Sequence, residues 1–248
     1  MNETINTLKS HRSIRKYTNQ KIDKSMLDEI ILAGQSAATS SNIQATTVIR
    51  ITDASVRNSI YEVAGKQPQI LQAPEFLVFC ADMKRSLACC EMQGSVAQEG
   101  FSEHFVIATT DVSLFAQNAV VAAESLGLGI CYIGAIRNNP QVVVEALKLP
   151  KLVYPVFGLC LGYPNQEPMK KPRLPLGVVL QENVYQESTH PAQQALIEEY
   201  DAKMKGYYSL RETDAKKIGW SEHMSALLSK ESRPHIKEFL KGQGFLEK

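Results

Sequence analysis

The chain has 248 residues, 44% of them hydrophobic and 21% charged, which is the composition of a globular protein able to bury a sizeable core. Its formal net charge of +1 excludes a global electrostatic field that would draw nucleic acid or a membrane surface, so any anion-binding site has to be local. The first residues include Glu3 and no apolar run, so no signal peptide is expected.

A cluster of possible anion-binding side chains lies near the N-terminus, in the segment HRSIR, His11–Arg15. Its histidine, two arginines and serine can each donate hydrogen bonds to an anion. By itself, such a cluster is typical of a solvated basic turn or helix end.

The first long helix is predicted over Ile22–Ala38, because apolar residues there recur with helical spacing. Ser25, followed by two acidic residues, indicates its start. Small polar residues in Thr39–Gln44 end it. Strand composition then predicts strands over Thr46–Thr52 and Glu75–Asp82, the second of them buried.

A weakly patterned polar segment, Ser86–His104, is predicted as a helix with a mobile loop. A strong helix follows over Asp111–Leu126, with its buried stripe at Val112, Phe115, Ala116, Ala119 and Ala123. The low charge of Phe105–Ala123 indicates a buried helix and its approach rather than a membrane span. Two further apolar runs, Ile130–Gly134 and Tyr154–Pro164, predict two more core strands.

The C-terminal part has a different texture, with polar helices predicted from Pro191 onward. A charged loop, RETDAKKIG, separates them, and later helices are predicted to start with Ser221 as N-cap and near Pro234. The whole pattern predicts an α+β protein with about four core strands and much helix. We expect residues 1–248 to form a single domain, with 190–248 as a C-terminal helical extension.

The five cysteines indicate a reducing compartment, since their number is odd and no CxxC occurs. Cys80, Cys131 and Cys160 lie in apolar runs and are expected to be buried and inert. The adjacent pair Cys89 and Cys90 could be reactive. The histidines show no metal-ligand spacing, so no metal site is expected, and the expected location is cytoplasmic.

One glycine-rich segment, GLGICYIG, superficially resembles a dinucleotide-binding fingerprint. Its spacing differs from GxGxxG, and it follows a helix and enters a strand, which is the reverse of the Rossmann order. Gly127 is better explained as the C-terminal cap of the preceding helix. No P-loop motif occurs either, so these two nucleotide-binding classes are not supported.

A second basic cluster, KKPRLP, lies in a predicted loop after a buried strand and contains Lys170, Lys171 and Arg173. Alone, it too is typical of solvated surface. Together with HRSIR it could bind one phosphate dianion, because several cations and fork-shaped donors are needed to offset the desolvation of that anion. Sequence spacing leaves open whether the two clusters meet.

An ordered set of motifs resembles the FMN-dependent nitroreductase family. The motifs are HRSIRKYTNQKI, ATSSNIQ, AGKQP, AESLGLGICYIGAIRN, FGLCLGYP and KKPRLP, followed by WSEHM and KESRP. The match runs from about Asn6 to the C-terminus and is most similar to the branch of oxygen-insensitive NADPH nitroreductases and NADPH–flavin or FMN oxidoreductases. The resemblance implies a mixed central sheet surrounded by helices, and a homodimer that holds two FMN molecules at its subunit interface.

The resemblance also implies a set of site residues. The N-terminal phosphate-binding motif corresponds to His11, Arg12, Ser13 and Arg15, and the distal phosphate clamp to Lys171 and Arg173. The segment that runs beside the flavin from the partner subunit corresponds to Thr39, Ser40 and Ser41, with Thr39 where close relatives have serine. A hydrogen bond to the flavin ring or ribityl chain is implied for Gln67. Backbone amides facing the ring near N5 are implied for Tyr132, Ile133, Gly134 and Ala135.

The implied chemistry belongs to the cofactor: NADPH gives a hydride to FMN N5, and the acceptor then takes two electrons in a ping-pong cycle. No catalytic side chain is required, and none of the triad, metal or paired-carboxylate patterns is found. Arg211 and Lys216 match residues that bind the 2′-phosphate of NADPH in relatives. The expected acceptors are small molecules such as nitroaromatics, quinones or flavins.

Rival hypotheses stay open at this stage. A related flavoenzyme could reduce free flavin, an azo dye or a disulfide. A non-catalytic FMN-binding or sensor protein would have the same phosphate site and a blocked flavin face. A protein with a basic interaction patch would bind no cofactor. The colour of the purified protein discriminates these classes.

Overall fold

The computed structural model describes residues 2–211 and 218–248, which form two compact units. The first unit contains residues 2–168 and 233–248, and the second contains the described residues of 169–232. The helices are α1 Glu3–Ser10, α2 Lys24–Gln35, α3 Ala54–Val63, α4 Gln69–Gln72, α5 Lys84–Met92, α6 Ser102–Ser125, α7 Pro140–Leu147, α8 Leu176–Val179, α9 Pro191–Ser209, α10 Trp220–Leu228 and α11 Ile236–Gly242. The strands are β1 Thr46–Arg50, β2 Glu75–Asp82, β3 Gly129–Ile133 and β4 Val153–Gly162.

The four strands form one sheet in the order β1-β2-β4-β3, and every pair in it is antiparallel. The α+β class and the four core strands are confirmed. The predicted mixed sheet would also contain parallel pairing. Within the described part of the chain, the parallel pairing is a single isolated bridge between Ser13 and Ile130.

Both faces of the sheet are buried, which explains why β2 is apolar at successive positions. Leu77, Phe79 and Ala81 belong to one core cluster of the first unit, while the alternate residues Phe76, Val78 and Cys80 belong to the other. Side chains of a strand point alternately to opposite faces, so each face receives its own apolar set. The last helix, α11, contributes Leu240 to the first cluster.

Helix α6 lies against the sheet and is longer than predicted, since it begins at Ser102 rather than at Asp111. The predicted stripe is confirmed at Val112, Ala116, Ala119 and Ala123, all fully buried. By length and composition α6 could cross a membrane, a test that the core helix of a globular unit also passes. Its burial against the sheet fits the prediction of a core helix.

Several local boundaries differ from the sequence predictions. Helix α2 begins at Lys24 after Asp23, rather than with Ser25. Helix α3, between the first two strands, was not predicted; its start is fixed by Asp53, whose carboxylate accepts from the backbone N–H of Ser55 and Val56. The helix buries a single residue, Ile60.

The second unit is built from α8, α9 and α10 around a small aromatic cluster of Tyr200, Met204 and Tyr208. The prediction of Ser221 as an N-cap is wrong, because α10 begins at Trp220 with Gly219 as its cap. Ser221 instead bonds the Asp201 carboxylate through its backbone N–H, at 2.8 Å, and through its hydroxyl. This ties α10 to α9.

Candidate functional site

The N-terminal motif His11–Arg15 is fixed along the first residues of β3. Ser13 pairs in parallel with Ile130, and the backbone N–H of Ile14 donates to the Ile130 carbonyl at 2.8 Å. Gly129 permits this approach, because a Cβ at that position would lie 2.5 Å from the Ile14 side chain. The predicted phosphate motif is therefore attached to the strand that ends in the predicted flavin-facing segment.

The three cationic side chains of this motif differ in how strongly they are engaged. His11 Nδ1 lies 2.5 Å from Glu124 Oε1 on α6, and Arg12 Nη1 donates to Glu167 Oε1 at 2.9 Å. Arg15 is exposed and makes one long bond, 3.5 Å from its Nη1 to the Ser13 carbonyl. Of the three, Arg15 has the donors most available to an incoming anion.

The turn that carries Gln67 contacts β4, the strand paired with β3. Gln69 donates from its side-chain amide to Gln67 Oε1 at 2.8 Å, and the Gln69 carbonyl accepts a hydrogen bond from Cys160 Sγ at 3.4 Å. Cys160 is the cross-strand partner of Cys131 on β3. Burial raises the pKa of the Cys131 thiol, while the nearby charge of Arg15 and a hydrogen bond with Gln69 act in the opposite direction. The phosphate motif thus pairs with β3 at Ile130, and the Gln67 turn contacts the neighbouring strand β4 at Cys160.

The segment Tyr132–Ala135 forms the end of β3 and the start of a 3₁₀ turn over Gly134–Asn138. The Tyr132 ring packs edge-on against Phe157, with ring centroids 5.0 Å apart, and Ile133 is buried. A Cβ at position 134 would lie 3.3 Å from Arg137 Nη2. The absence of a side chain at the half-buried Gly134 therefore leaves room for the Arg137 guanidinium.

The segment Thr39–Ser41 is held elsewhere, by Asp111 on α6. The Asp111 carboxylate accepts from Thr39 Oγ1 at 2.7 Å, from the Ser40 N–H at 3.0 Å and from the Ala45 N–H at 3.1 Å. The hydroxyls of Ser40 and Ser41 have no hydrogen-bond partner among the residues that the structure describes. These two hydroxyls are free to meet a ligand.

Helix α6 keeps the two groups of predicted residues apart. Glu124 contacts His11, and Asp111 holds Thr39. Because an α-helix rises 1.5 Å per residue, the two carboxylates lie about 20 Å apart along the helix axis. One chain therefore presents a phosphate-motif half, with Arg15, Gln67 and the end of β3, and a separate serine half at Ser40 and Ser41.

The second unit carries the remaining predicted residues. Arg173 donates to the Lys171 carbonyl at 3.1 Å, and Lys171 Nζ lies 5.7 Å from the centroid of the Tyr208 ring. Both cations are exposed. Arg211 is half-buried just after α9, and Lys216 lies outside the described residues.

The donors present fit FMN. Arg15, Lys171 and Arg173 offer guanidinium and ammonium groups whose side chains pair with no carboxylate in the described ranges, and such groups suit a phosphate dianion. The free hydroxyls of Ser40 and Ser41 and the amide of Gln67 suit a polyhydroxyl chain and a polar ring edge. Within residues 2–211 and 218–248, no group of three His, Cys, Asp or Glu side chains could hold a metal ion.

Sequence reasoning missed the two carboxylates that hold the predicted residues, Asp111 and Glu124. Asp111 is 3% exposed and is the one charged residue in Phe105–Ala123, a buried position where a charged residue needs partners. That placement was a usable signal. Glu124 carried none, since its partner His11 is distant along the chain.

Comparison with known proteins decides the family. The model of the nitroreductase family matches residues 8–163, and the model of the nitroreductase family C-terminal domain matches residues 171–248. The chain belongs to the nitroreductase family. This confirms the resemblance read from the ordered motifs.

Three relatives show how far the similarity extends. The chain is 44% identical over 245 residues to an oxygen-insensitive NADPH nitroreductase from Salmonella typhimurium, covering 99% of each chain. It is 41% identical over 248 residues to an NADPH-flavin oxidoreductase from Vibrio harveyi, covering 100% of each. The crystal structure of nitroreductase A from Vibrio parahaemolyticus matches with a TM-score of 0.90 and 43% identity, covering 100% of each chain. The nitroreductase fold is thereby confirmed.

Proposed function

We propose that this member of the nitroreductase family reduces nitroaromatic compounds, quinones or free flavins by two-electron transfer. Relatives at 37–44% identity carry the names NADPH nitroreductase, NADPH-flavin oxidoreductase and FMN reductase (NADPH). The protein is accordingly an enzyme, an NADPH-dependent flavin oxidoreductase with FMN as its cofactor. The choice among the acceptors is the proposal.

The observation that carries this proposal is that the phosphate motif pairs with β3 at Ile130, while the Gln67 turn contacts the neighbouring strand β4 at Cys160. The motif thus offers Arg15 as a cation for a phosphate, and the turn offers the side-chain amide of Gln67. The backbone of Gly134–Ala135 follows where β3 ends. This arrangement supports Arg15, Ser13 and Gln67 as FMN ligands of one subunit.

FMN, when bound, supplies a hydride acceptor at N5 and delivers two electrons onward. The residues of the chain bind and orient it and need no nucleophile or acid–base pair. Backbone N–H groups of Gly134 and Ala135 would stabilise charge that develops on the ring. Lys171 and Arg173 as phosphate ligands, and Arg211 and Lys216 as NADPH ligands, are proposed from the family resemblance.

We also propose a cytoplasmic homodimer whose residues 1–248 act as one FMN-binding domain, with no nucleic-acid or membrane partner. The homodimer is supported by the separation of about 20 Å along α6 between the two halves of the site, since one flavin would then need halves from two subunits. A reducing compartment is supported by the five cysteines, all of which are free.

The test is to purify the protein and add NADPH without oxygen, followed by a nitroaromatic, a quinone and free FMN in separate samples. We expect a yellow protein whose flavin absorbance NADPH bleaches and at least one acceptor restores. A yellow protein that NADPH leaves unbleached would be a non-catalytic FMN-binding protein. A colourless protein that takes up no added FMN would overturn the proposal.

A further inference from the structure

Asp111 is a buried carboxylate that the proposed chemistry does not use. It is 3% exposed, and it has no cationic partner among the described residues. A buried charge is costly unless hydrogen bonds satisfy it, and Asp111 receives three from one short segment, residues 39–45. We call this segment the serine loop. All three hydrogen bonds that stabilise the Asp111 carboxylate therefore also hold this loop in place.

The Thr39 hydroxyl is fully engaged within the loop. It donates its proton to Asp111 Oδ2 at 2.7 Å and accepts from the Gln44 N–H at 2.8 Å. A hydroxyl has one proton, so Thr39 cannot also donate to a ligand. Ser40 and Ser41, both exposed, have hydroxyls that are unengaged within the described chain.

The backbone of the serine loop is strained, which explains why it needs such an anchor. Ser41, Asn42 and Gln44 have φ angles of 47°, 60° and 54°, in the left-handed region that favours glycine. Such conformations persist where surrounding contacts over-determine them. The bonds from Asp111 to Ser40 and to Ala45 lie on either side of the three strained residues.

We propose that the side chains of Thr39 and Asp111 form a positioning pair, which fixes the serine loop so that the hydroxyls of Ser40 and Ser41 face the flavin. This rests on the proposed function, since it assigns roles within the same FMN site. It also gives Thr39 a role different from that of Ser40 and Ser41: a threonine is tolerated here because its hydroxyl serves Asp111.

The test compares Thr39→Val, Thr39→Ser and Asp111→Asn, with FMN affinity measured by flavin fluorescence. Thr39→Val and Asp111→Asn are each expected to weaken FMN binding about tenfold or more, because each breaks a hydrogen bond to a charged group. Thr39→Ser keeps the hydroxyl and should bind FMN as the parent does. The double variant should be no weaker than Asp111→Asn, because the two side chains act as one unit.

Two further measurements distinguish a positioning role from a general effect on stability: a matched control variant, and hydrogen exchange in the apoprotein. Val112→Ala truncates the fully buried neighbour of Asp111 on α6 and should lower the melting temperature with FMN affinity unchanged. In the apoprotein, Asp111→Asn should accelerate amide hydrogen exchange at Ser40 and Ala45, and Val112→Ala should leave that exchange slow relative to Asp111→Asn.

Unchanged FMN affinity in a folded Asp111→Asn protein would overturn the positioning role and leave the proposed function standing. Equal loss of FMN affinity in Val112→Ala and Asp111→Asn would also overturn it, since general destabilisation would then account for both. If the parent protein binds no FMN, the proposed function fails and the positioning role fails with it.

Discussion

Asp111 and Glu124 lie about 20 Å apart along α6, the helix that packs against the sheet. Each of the two carboxylates holds a different half of the candidate site. Asp111 anchors Thr39 and the serine loop, and Glu124 contacts His11 of the phosphate motif. The rigid helix fixes the distance between the halves within one chain. The shared-site hypothesis follows from that distance, and it can be tested by mixing subunits.

We expect a heterodimer of one Arg15→Ala subunit and one Ser40→Ala subunit to bind one FMN with parental affinity. If each flavin uses Arg15 of one subunit and Ser40 of the other, one site in this heterodimer is intact and the other carries both changes. Each mutant homodimer should lose FMN. Differently tagged subunits, purified as the mixed dimer and titrated with FMN, provide the measurement.

A heterodimer with no site of parental affinity would show that each flavin is held within one subunit. Sedimentation gives an independent check on the same hypothesis. A stable, yellow and fully active monomer would rule out the shared site.

Arg15→Ala should release FMN on gel filtration while the chain stays folded by circular dichroism. Loss of a charge-assisted hydrogen bond costs roughly 1.5–3 kcal/mol, or about ten- to a hundredfold in affinity. Lys16→Ala is the matched control, because Lys16 is the adjacent exposed cation and its side chain has no assigned role. Unchanged FMN retention in both Arg15→Ala and Lys171→Ala would refute the phosphate assignment.

Arg211→Ala should raise KM for NADPH about tenfold and leave KM for NADH nearly unchanged. NADPH differs from NADH by a 2′-phosphate, which a guanidinium can bind with two hydrogen bonds. We expect a smaller effect from Lys216→Ala, since an ammonium lacks that fork. Lys230→Ala removes another exposed cation of the second unit and serves as the control. An equal rise in both KM values for Arg211→Ala would contradict the role.

Two of the five thiols should react with an aromatic disulfide reagent in the native protein. Cys89 is exposed and Cys90 half-buried, whereas Cys80, Cys131 and Cys160 are buried. Burial raises the pKa of each of these three thiols, so they stay protonated and unreactive near neutral pH. Reaction of all five should require denaturant. A Cys89→Ser/Cys90→Ser protein that still reacts in the native state would contradict this assignment.

The same buried thiols predict lower stability at alkaline pH. Their pKa values are raised in the folded state, so the unfolded chain loses these protons first, above about pH 8.5. The contribution of these thiols to the free energy of unfolding should therefore be constant from pH 7 to about 8.5 and fall as the pH rises further. Urea unfolding between pH 7 and pH 10 measures the slope. Cys160→Ala should reduce the slope, and an unchanged slope would contradict the explanation.

The sequence by itself determined the features that depend on neighbours along the chain. Strand β2 was predicted at its observed bounds, because a strand buried on both faces is apolar at successive positions. Gly127 was predicted as a helix cap and has a φ of 79°, just after the end of α6. The order of short motifs was enough to indicate the nitroreductase family, because each motif is a contiguous stretch of sequence and is recognised without knowledge of tertiary contacts.

Only the tertiary structure decided which side chains hold the site. Asp111 meets Thr39 and Glu124 meets His11 across long stretches of chain, and no local periodicity encodes such pairs. The start of α6 at Ser102 was also missed, because its first residues, Ser102–His104, are polar and show no apolar stripe. Because long-range contacts fix both the helix and these two carboxylates, the separation between the two halves became visible only in the folded chain.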